Sequence, residues 1–187
     1  MLLCCCVIAA SGDAYGQNIP IAKNALHHAF PNTPVIALTP KKPSVAAGIS
    51  CYFLADSAKN LTLNDVLTDS VSSRFQPSKQ DIPSFGLVKP TYWFVLKVKN
   101  TTPLVDDWLL ELAYPPLDSI EVFTHDSSGV WSSVLVGDLM PFSQRVVQTR
   151  IFAIPLALHD TLTHHIVLRI NSQSSMLVPM TLRHSTE

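Results

Sequence analysis

Short stretches of alternating apolar and polar residues recur along the chain, and this two-residue period constrains the fold more than any other feature. In residues 92–100, for example, Phe94, Leu96 and Val98 share one face, and Lys97 and Lys99 share the other. Strands are predicted at 49–55, 92–100, 108–114, 119–124, 130–136, 149–156, 165–171 and 177–183. Seven or eight short strands with hardly any helix predict an all-β protein built as an antiparallel sandwich.

Local signals fix some of the connections between these strands. Asp126-Ser127-Ser128-Gly129 is typical of a turn and predicts a hairpin between 119–124 and 130–136. Thr62, with Asp65 three residues later, predicts a capped short helix within 61–67. Pro179 indicates that the last strand lies at an edge or carries a bulge.

Charge and composition exclude some classes of partner. The 187 residues carry 13 basic and 14 acidic side chains, so the chain has no excess of positive charge for nucleic acid or an anionic membrane. An apolar fraction of 47% is typical of a globular protein, and 14 prolines favour short elements.

The N-terminal residues predict export. Residues 1–10 are uninterrupted apolar residues, and small residues before Gln17 fit a cleavage site, so we expect a signal peptide over 1–16. No basic residue precedes the run, and a membrane anchor is the alternative, although the run is short for a span. Residues 17–46 are rich in proline and predict an irregular leader with one short helix at 21–30, ahead of a sandwich over 47–187.

After cleavage Cys51 is the only cysteine left, so no internal disulfide is expected. It lies in an apolar run, which predicts a buried inert thiol, with a redox sensor as the alternative.

Motifs of enzyme chemistry are missing from the sequence. It contains no phosphate loop, GxSxG, CxxC or HExxH motif, and we predict no cofactor. His164 and His165 are neighbours on a predicted strand, so they point to opposite faces, one solvated and one near the core, and no metal site is predicted. Asp106-Asp107, with Glu111 and Asp118, leave a glycosidase as a remote alternative to a polar loop.

A series of collinear motifs between residues 48 and 183 resembles a known family. The motifs are Tyr52-Phe53-Leu54-Ala55-Asp56, Leu61-Thr62-Leu63-Asn64-Asp65-Val66, Arg74-Phe75, Phe85-Gly86, Tyr92-Trp93-Phe94, Leu110-Glu111-Leu112, Tyr114-Pro115, Leu117-Asp118, Gly137-Asp138, Pro141-Phe142, Arg145, Arg150, Phe152, Pro155-Leu156, Leu168-Arg169-Ile170 and Pro179-Met180-Thr181-Leu182. Together they resemble the extracellular type-2 domain of bacterial seven-transmembrane receptors with diverse intracellular signalling modules.

The resemblance implies a jelly-roll-like sandwich similar to carbohydrate-binding modules. It also implies a non-catalytic sensor in the periplasm, with a carbohydrate or small organic ligand. The family places membrane helices and an output module after this domain, and the sequence has neither before Glu187. We therefore expect either a truncated receptor or a domain that acts alone or with a separate membrane receptor as partner.

Five residues form the predicted ligand site: Trp93, Tyr114, Asp138, Arg145 and Arg150. Arginines can hold a carboxylate or a pair of hydroxyls, and an aromatic face can cover the C–H surface of a sugar. The alternatives are a structural Asp138–Arg145 salt bridge and burial of Trp93 against a second layer. The alternative function is a protein–protein interaction module, acting as a homodimer or on a membrane receptor.

Overall fold

The computed structural model describes residues 29–87, 90–102 and 108–185. In these ranges the chain is mostly β-strand, with two short helices and two single 3-10 turns. The strands are β1 (Val35–Leu38), β2 (Ser44–Ala46), β3 (Tyr52–Asp56), β4 (Gln76–Pro77), β5 (Ser84–Leu87), β6 (Thr91–Asn100), β7 (Trp108–Leu112), β8 (Ser119–His125), β9 (Trp131–Val136), β10 (Phe152–Leu156), β11 (Thr163–Asn171), β12 (Ser175–Leu177) and β13 (Met180–His184). The helices are α1 (Leu63–Val66) and α2 (Asp69–Ser72), and the 3-10 turns are Gly48–Ser50 and Phe142–Gln144.

The larger sheet has the strand order β4-β3-β6-β11-β8-β9, and all of these neighbours are antiparallel. β1 also belongs to it and pairs with β6 in parallel. β3 and β1 share the same edge of β6, because β3 pairs with residues 91–95 and β1 with residues 97–100. β3, β6 and β1 therefore meet near Lys97, where the strand paired with this edge of β6 changes from β3 to β1.

The second sheet has the antiparallel order β10-β7-β13-β2, and β12 pairs with β5 in a separate two-stranded sheet. The principal core lies between the two larger sheets and contains Phe94 and Leu96 from β6 together with Leu110, Ile154 and Leu182 from the second sheet. The all-β antiparallel sandwich with two short helices is thus confirmed. The alternation of apolar side chains explains it, because one face of each strand enters this core.

The other face of the larger sheet is also covered, by a second layer. Trp93, Phe123, Trp131 and Val167 pack there with α1 and with the pair Ala29-Phe30. Both faces of β6 are therefore buried in its first half, which is why that part of the strand reads as a nearly continuous apolar run.

The predicted helix cap is present at α1. The Thr62 side chain accepts a hydrogen bond from the Asp65 amide at 3.3 Å, and the Asp65 carboxylate accepts from the Thr62 amide at 2.8 Å. This capping box starts the helix that lays Leu63 and Val66 on the outer face of the larger sheet.

The segment expected to be an irregular leader contains two strands within its described part. Ile36 and Leu38 of β1 enter the principal core, and β2 extends the second sheet beside β13. These strands are difficult to recognise in the sequence, because each is only three or four residues long and closely spaced prolines interrupt the segment. The predicted signal peptide, and all of the predicted helix 21–30 except Ala29-Phe30, lie outside the described residues.

Cys51 is buried, and its thiol donates a hydrogen bond to the Gly48 carbonyl at 3.0 Å. Burial raises the pKa of Cys51 to about 12, so the reactive thiolate is absent at neutral pH. This agrees with the predicted inert thiol.

Candidate functional site

A cleft of about 640 Å³ opens on the larger sheet, at the end of β8 and the beginning of β11. We call it the histidine cleft, after the three imidazoles in its wall. Its lining residues are Val35, Lys97, His125, Asp126, Ser127, Ser128, Gly129, Leu162, Thr163, His164 and His165. Most of these residues carry polar or charged side chains, and Val35 and Leu162 add apolar surface, a combination that suits a small ligand with both kinds of group.

Strand register places the side chains of this cleft in one row. Val35 of β1 is opposite Lys97 of β6, which is opposite His165 of β11. His125 at the end of β8 is opposite Trp131 of β9 and lies beside His165, with ring centroids 5.7 Å apart. Cross-strand neighbours of this kind have side chains on the same face, so residues far apart in sequence converge.

The β8–β9 turn forms one wall of the cleft and is held by Asp126. One oxygen of its carboxylate accepts hydrogen bonds from the Ser128 amide, the Ser128 hydroxyl and the Val130 amide, at 2.9, 2.6 and 2.9 Å. These bonds, that from the Ser128 side chain first, hold the pKa of Asp126 below its usual range. Gly129 completes the turn at a φ of 84°. The predicted hairpin is confirmed, and its carboxylate is ionised at neutral pH.

Hydrogen bonds fix the ring of His125 in one tautomer. Nδ1 lies 3.0 Å from the Asp126 carbonyl, which can only accept, so Nδ1 carries the proton. Nε2 accepts from the His165 backbone amide at 3.0 Å. Burial lowers the pKa of His125, so the neutral ring that these two bonds require is the favoured form.

His164 lies on the opposite face of β11 and is 2% exposed. Its Nδ1 is 3.1 Å from the His125 carbonyl, and its Nε2 is 2.7 Å from a carboxylate oxygen of Asp160. Both ring nitrogens therefore have a hydrogen-bond partner. Burial raises the pKa of the Asp160 carboxyl, but the hydrogen bonds from His164 and Leu162 lower it by more, and the net shift is downward.

The ring of His165 lines the cleft without a hydrogen-bond partner at either nitrogen among the described residues. It is 8% exposed and packs beside Phe30, with ring centroids 6.2 Å apart. Burial, the nearby His125 and Lys97, and His164 lower the pKa of His165 to about 3. The ring is therefore neutral, with one donor and one acceptor nitrogen that are both enclosed by protein atoms. We expected one of the two neighbouring histidines to be solvated, but both are buried.

The described part of the chain holds no group of three or more His, Cys, Asp or Glu side chains arranged to bind a metal ion. Within the described lining of the cleft, no hydroxyl is hydrogen-bonded to a histidine ring, as a nucleophile and its general base would be. The arrangement therefore suits binding through hydrogen bonds and charge.

The predicted site residues lie in three separate places. Trp93 is fully buried in the second layer, stacks on Phe123 with centroids 5.9 Å apart, and borders a cleft of about 300 Å³ that Glu121 and Arg169 also line. Tyr114 follows β7 and packs, half-buried, against the principal core.

Asp138, Arg145 and Arg150 lie on the loop between β9 and β10. The loop begins at Gly137, where a Cβ would approach the Asp118 carbonyl oxygen within 2.2 Å, and the Asp138 amide donates to Leu117. Asp138 and Arg150 are exposed. Among the described residues Asp138 forms no ion pair with Arg145, so the expected salt bridge is wrong. A ligand site at these five residues stays a prediction.

Arg145 organises its own loop. Its guanidinium donates to the Thr149 carbonyl at 2.7 Å and lies 5.1 and 4.7 Å from the ring centroids of Phe142 and Phe152. Cation–π contacts and a charge-assisted hydrogen bond therefore tie the loop to β10.

Replacing Arg145 with alanine is expected to lower the free energy of unfolding by about 1 kcal/mol, because these partly exposed contacts are lost. Urea unfolding followed by circular dichroism would measure the change. Arg150→Ala is the control, since Arg150 is exposed and only its backbone carbonyl contacts Arg145. Equal effects of the two substitutions would contradict this role for Arg145.

The carboxylates considered for a glycosidase are dispersed. Glu111 accepts a hydrogen bond from Arg183 at 2.9 Å, and Asp118 accepts from the Gln173 amide at 2.7 Å. Asp106 and Asp107 lie outside the described residues. Both described carboxylates therefore have structural partners.

Sequence reasoning missed Lys97, His125 and His165 as partners in one cleft. The alternation within β6 and β11 indicates which face of its own strand Lys97 or His165 occupies. Only the pairing register of the two strands shows that the two side chains are neighbours. A lone histidine immediately before the turn signal Asp126–Gly129 was the available signal for His125.

Similarity to known proteins identifies the family of this chain. The profile of the family described as 7TMR-DISM extracellular 2 matches residues 48–184. No curated protein matches the chain significantly. In the described residues we find no helix with the length and apolar character needed to cross a bilayer. The match spans most of the chain and includes every strand of both sheets except β1 and β2, and the chain therefore belongs to the 7TMR-DISM extracellular 2 family, whose members are extracellular sensor domains of receptors.

Proposed function

We propose that this protein is a non-catalytic ligand-recognition domain of a bacterial signalling receptor and that the histidine cleft is its ligand site. The carrying observation is the His165 ring, which is nine-tenths buried in the cleft wall with neither nitrogen paired within the described residues. Buried polar groups are normally hydrogen-bonded, so an unpaired ring in the wall of the cleft supports a ligand that reaches it.

The size and rigidity of the cleft support this proposal. A volume of about 640 Å³ accommodates a small organic molecule or a single sugar. Its walls come from paired strands and from a turn braced by Asp126, so the polar groups are held in place before a ligand arrives.

The aromatic residues favour a small organic ligand over a neutral sugar. Sugar sites commonly present a flat aromatic face, but Trp93 and Trp131 are fully buried, and Tyr114 packs against the core. The described lining of the cleft contains imidazoles and no Trp, Tyr or Phe ring.

Ligand binding can be tested with the whole chain. In a calorimetric screen of sugars, amino acids and organic acids, we expect at least one compound to bind and to raise the melting temperature. Ser127→Trp should reduce that binding at least about ten-fold by filling the cleft from an exposed position. Ser57→Trp, in an exposed turn outside the cleft, should leave binding unchanged. Equal binding by both variants would contradict the assignment of the site.

We further propose that the domain functions in the periplasm. The apolar run at residues 1–10 and the small residues before Gln17 support export and cleavage. Cell fractionation with N-terminal sequencing of the product tests this, with Gln17 as the expected first residue. The interaction module, as a homodimer or on a membrane receptor, stays a prediction.

A further inference from the structure

The histidine cleft contains a lysine that lacks a counter-ion. We propose that the cleft takes a small monocarboxylic acid that also carries a hydroxyl or amino group, with Lys97 as the partner of its carboxylate. This inference rests on the proposed function, because it specifies the ligand of the same site.

Lys97 supplies the charge. It lies in the sheet between Val35 and His165, and among the described residues no carboxylate lies within ion-pair distance of its ammonium group. Burial lowers the pKa of Lys97, which shows that the ammonium has lost part of its hydration. A partly desolvated cation without a partner is costly, and an anionic group bound beside it would remove that cost.

The donor set distinguishes between anions. Phosphate is usually held by arginine forks or several amide donors, and the described lining of the cleft contains no arginine. The His164 ring is already hydrogen-bonded to Asp160 at 2.7 Å. One unpaired ammonium therefore fits a single carboxylate better than a phosphate.

Neutral polar groups beside Lys97 would bind the second functional group of the ligand, its hydroxyl or amino group. The His165 ring lines the cleft with one donor and one acceptor nitrogen, and a ligand hydroxyl or amino group that reaches the ring would pair with one of them. The side-chain hydroxyls of Ser127 and Thr163 also line the cleft, and neither is hydrogen-bonded within the described part of the chain.

The remaining wall limits the ligand further. Asp126 is exposed and ionised on the turn, so it disfavours a second negative charge and favours an ammonium or hydroxyl group. Val35 and Leu162 are 50% and 56% exposed and offer apolar surface to a short hydrocarbon chain. Hydroxy acids and amino acids combine these features, whereas dicarboxylates do not.

Calorimetry with matched ligand pairs tests the proposal directly. The pairs are lactate with lactamide, propionate with propionamide, and glucuronate with glucose, each at the same ionic strength. We expect the carboxylate of a binding pair to bind at least about ten-fold more tightly than its neutral partner. Lys97→Gln should abolish this preference, Lys97→Arg should retain part of it, and Lys79→Gln, an exposed lysine outside the cleft, should leave it intact.

The outcomes separate this inference from the proposed function. Equal affinity for carboxylate and neutral partner, or a preference that survives Lys97→Gln, overturns the inference. Binding of neutral compounds that Ser127→Trp still blocks would leave the proposed function standing. No binding of any carboxylate also overturns the inference. Urea unfolding of each variant checks that a loss of binding does not come from a loss of fold.

Discussion

Replacing Trp93 with alanine is expected to lower the free energy of unfolding by about 3–5 kcal/mol. The indole is fully buried on the outer face of the larger sheet, parallel to Phe123 at 17° and 5.9 Å, and next to the side chains of α1. Its removal leaves a cavity between the sheet and its second layer. The Arg169 guanidinium, 5.7 Å from the ring centroid, also loses its aromatic contact.

Urea unfolding followed by far-ultraviolet circular dichroism measures this change without relying on tryptophan fluorescence. Trp93→Phe should cost much less, because the indole nitrogen has no hydrogen-bond partner among the described residues and mainly volume is lost. Phe142→Ala is the matched control, since that ring is 52% exposed. A Trp93→Ala protein as stable as the Phe142→Ala variant would contradict a packing role and restore Trp93 as a surface ligand contact.

The sandwich was predictable because its strands carry a strong local pattern. In β6 and β11 the residues facing the second sheet alternate with residues facing the second layer, and this alternation can be recognised in the sequence. β1 and β2 were not predictable in this way. They have only four and three residues, too few for a recognisable pattern, and their stability comes from pairing with β6 and β13, which the local sequence does not indicate.

The candidate site was predicted less well than the fold, for a related reason. A family motif drew attention to Arg145 and Asp138, whose loop is held by Gly137 and by contacts within the loop and to β10. The histidine cleft depends on Lys97 and His165 standing side by side. That register joins positions 68 residues apart, and sequence alternation fixes only the face of each strand.

The cleft should also make the fold sensitive to acid. Between pH 7.5 and pH 5 we expect the free energy of unfolding to fall by about 2 kcal/mol through His165 alone. Burial, with the nearby His125, Lys97 and His164, lowers the pKa of His165 from 6.5 to about 3 in the folded protein. Between these values the unfolded chain binds a proton that the folded chain does not. The stabilisation is therefore complete above pH 6.5 and is lost progressively as the pH falls toward 3.

Urea unfolding at half-unit intervals from pH 7.5 to pH 5 measures this loss. His125 adds to it, since burial lowers its pKa too, and a proton on its Nε2 would break the bond from the His165 amide. His165→Phe should flatten the profile at little cost in stability at pH 7.5, because the ring nitrogens have no partners within the described residues. His159→Gln, at an exposed histidine, should leave the profile unchanged. If the wild type and His165→Phe lose stability in parallel, protonation of His165 is not the cause of the loss. Its ring would then be paired or solvated in solution.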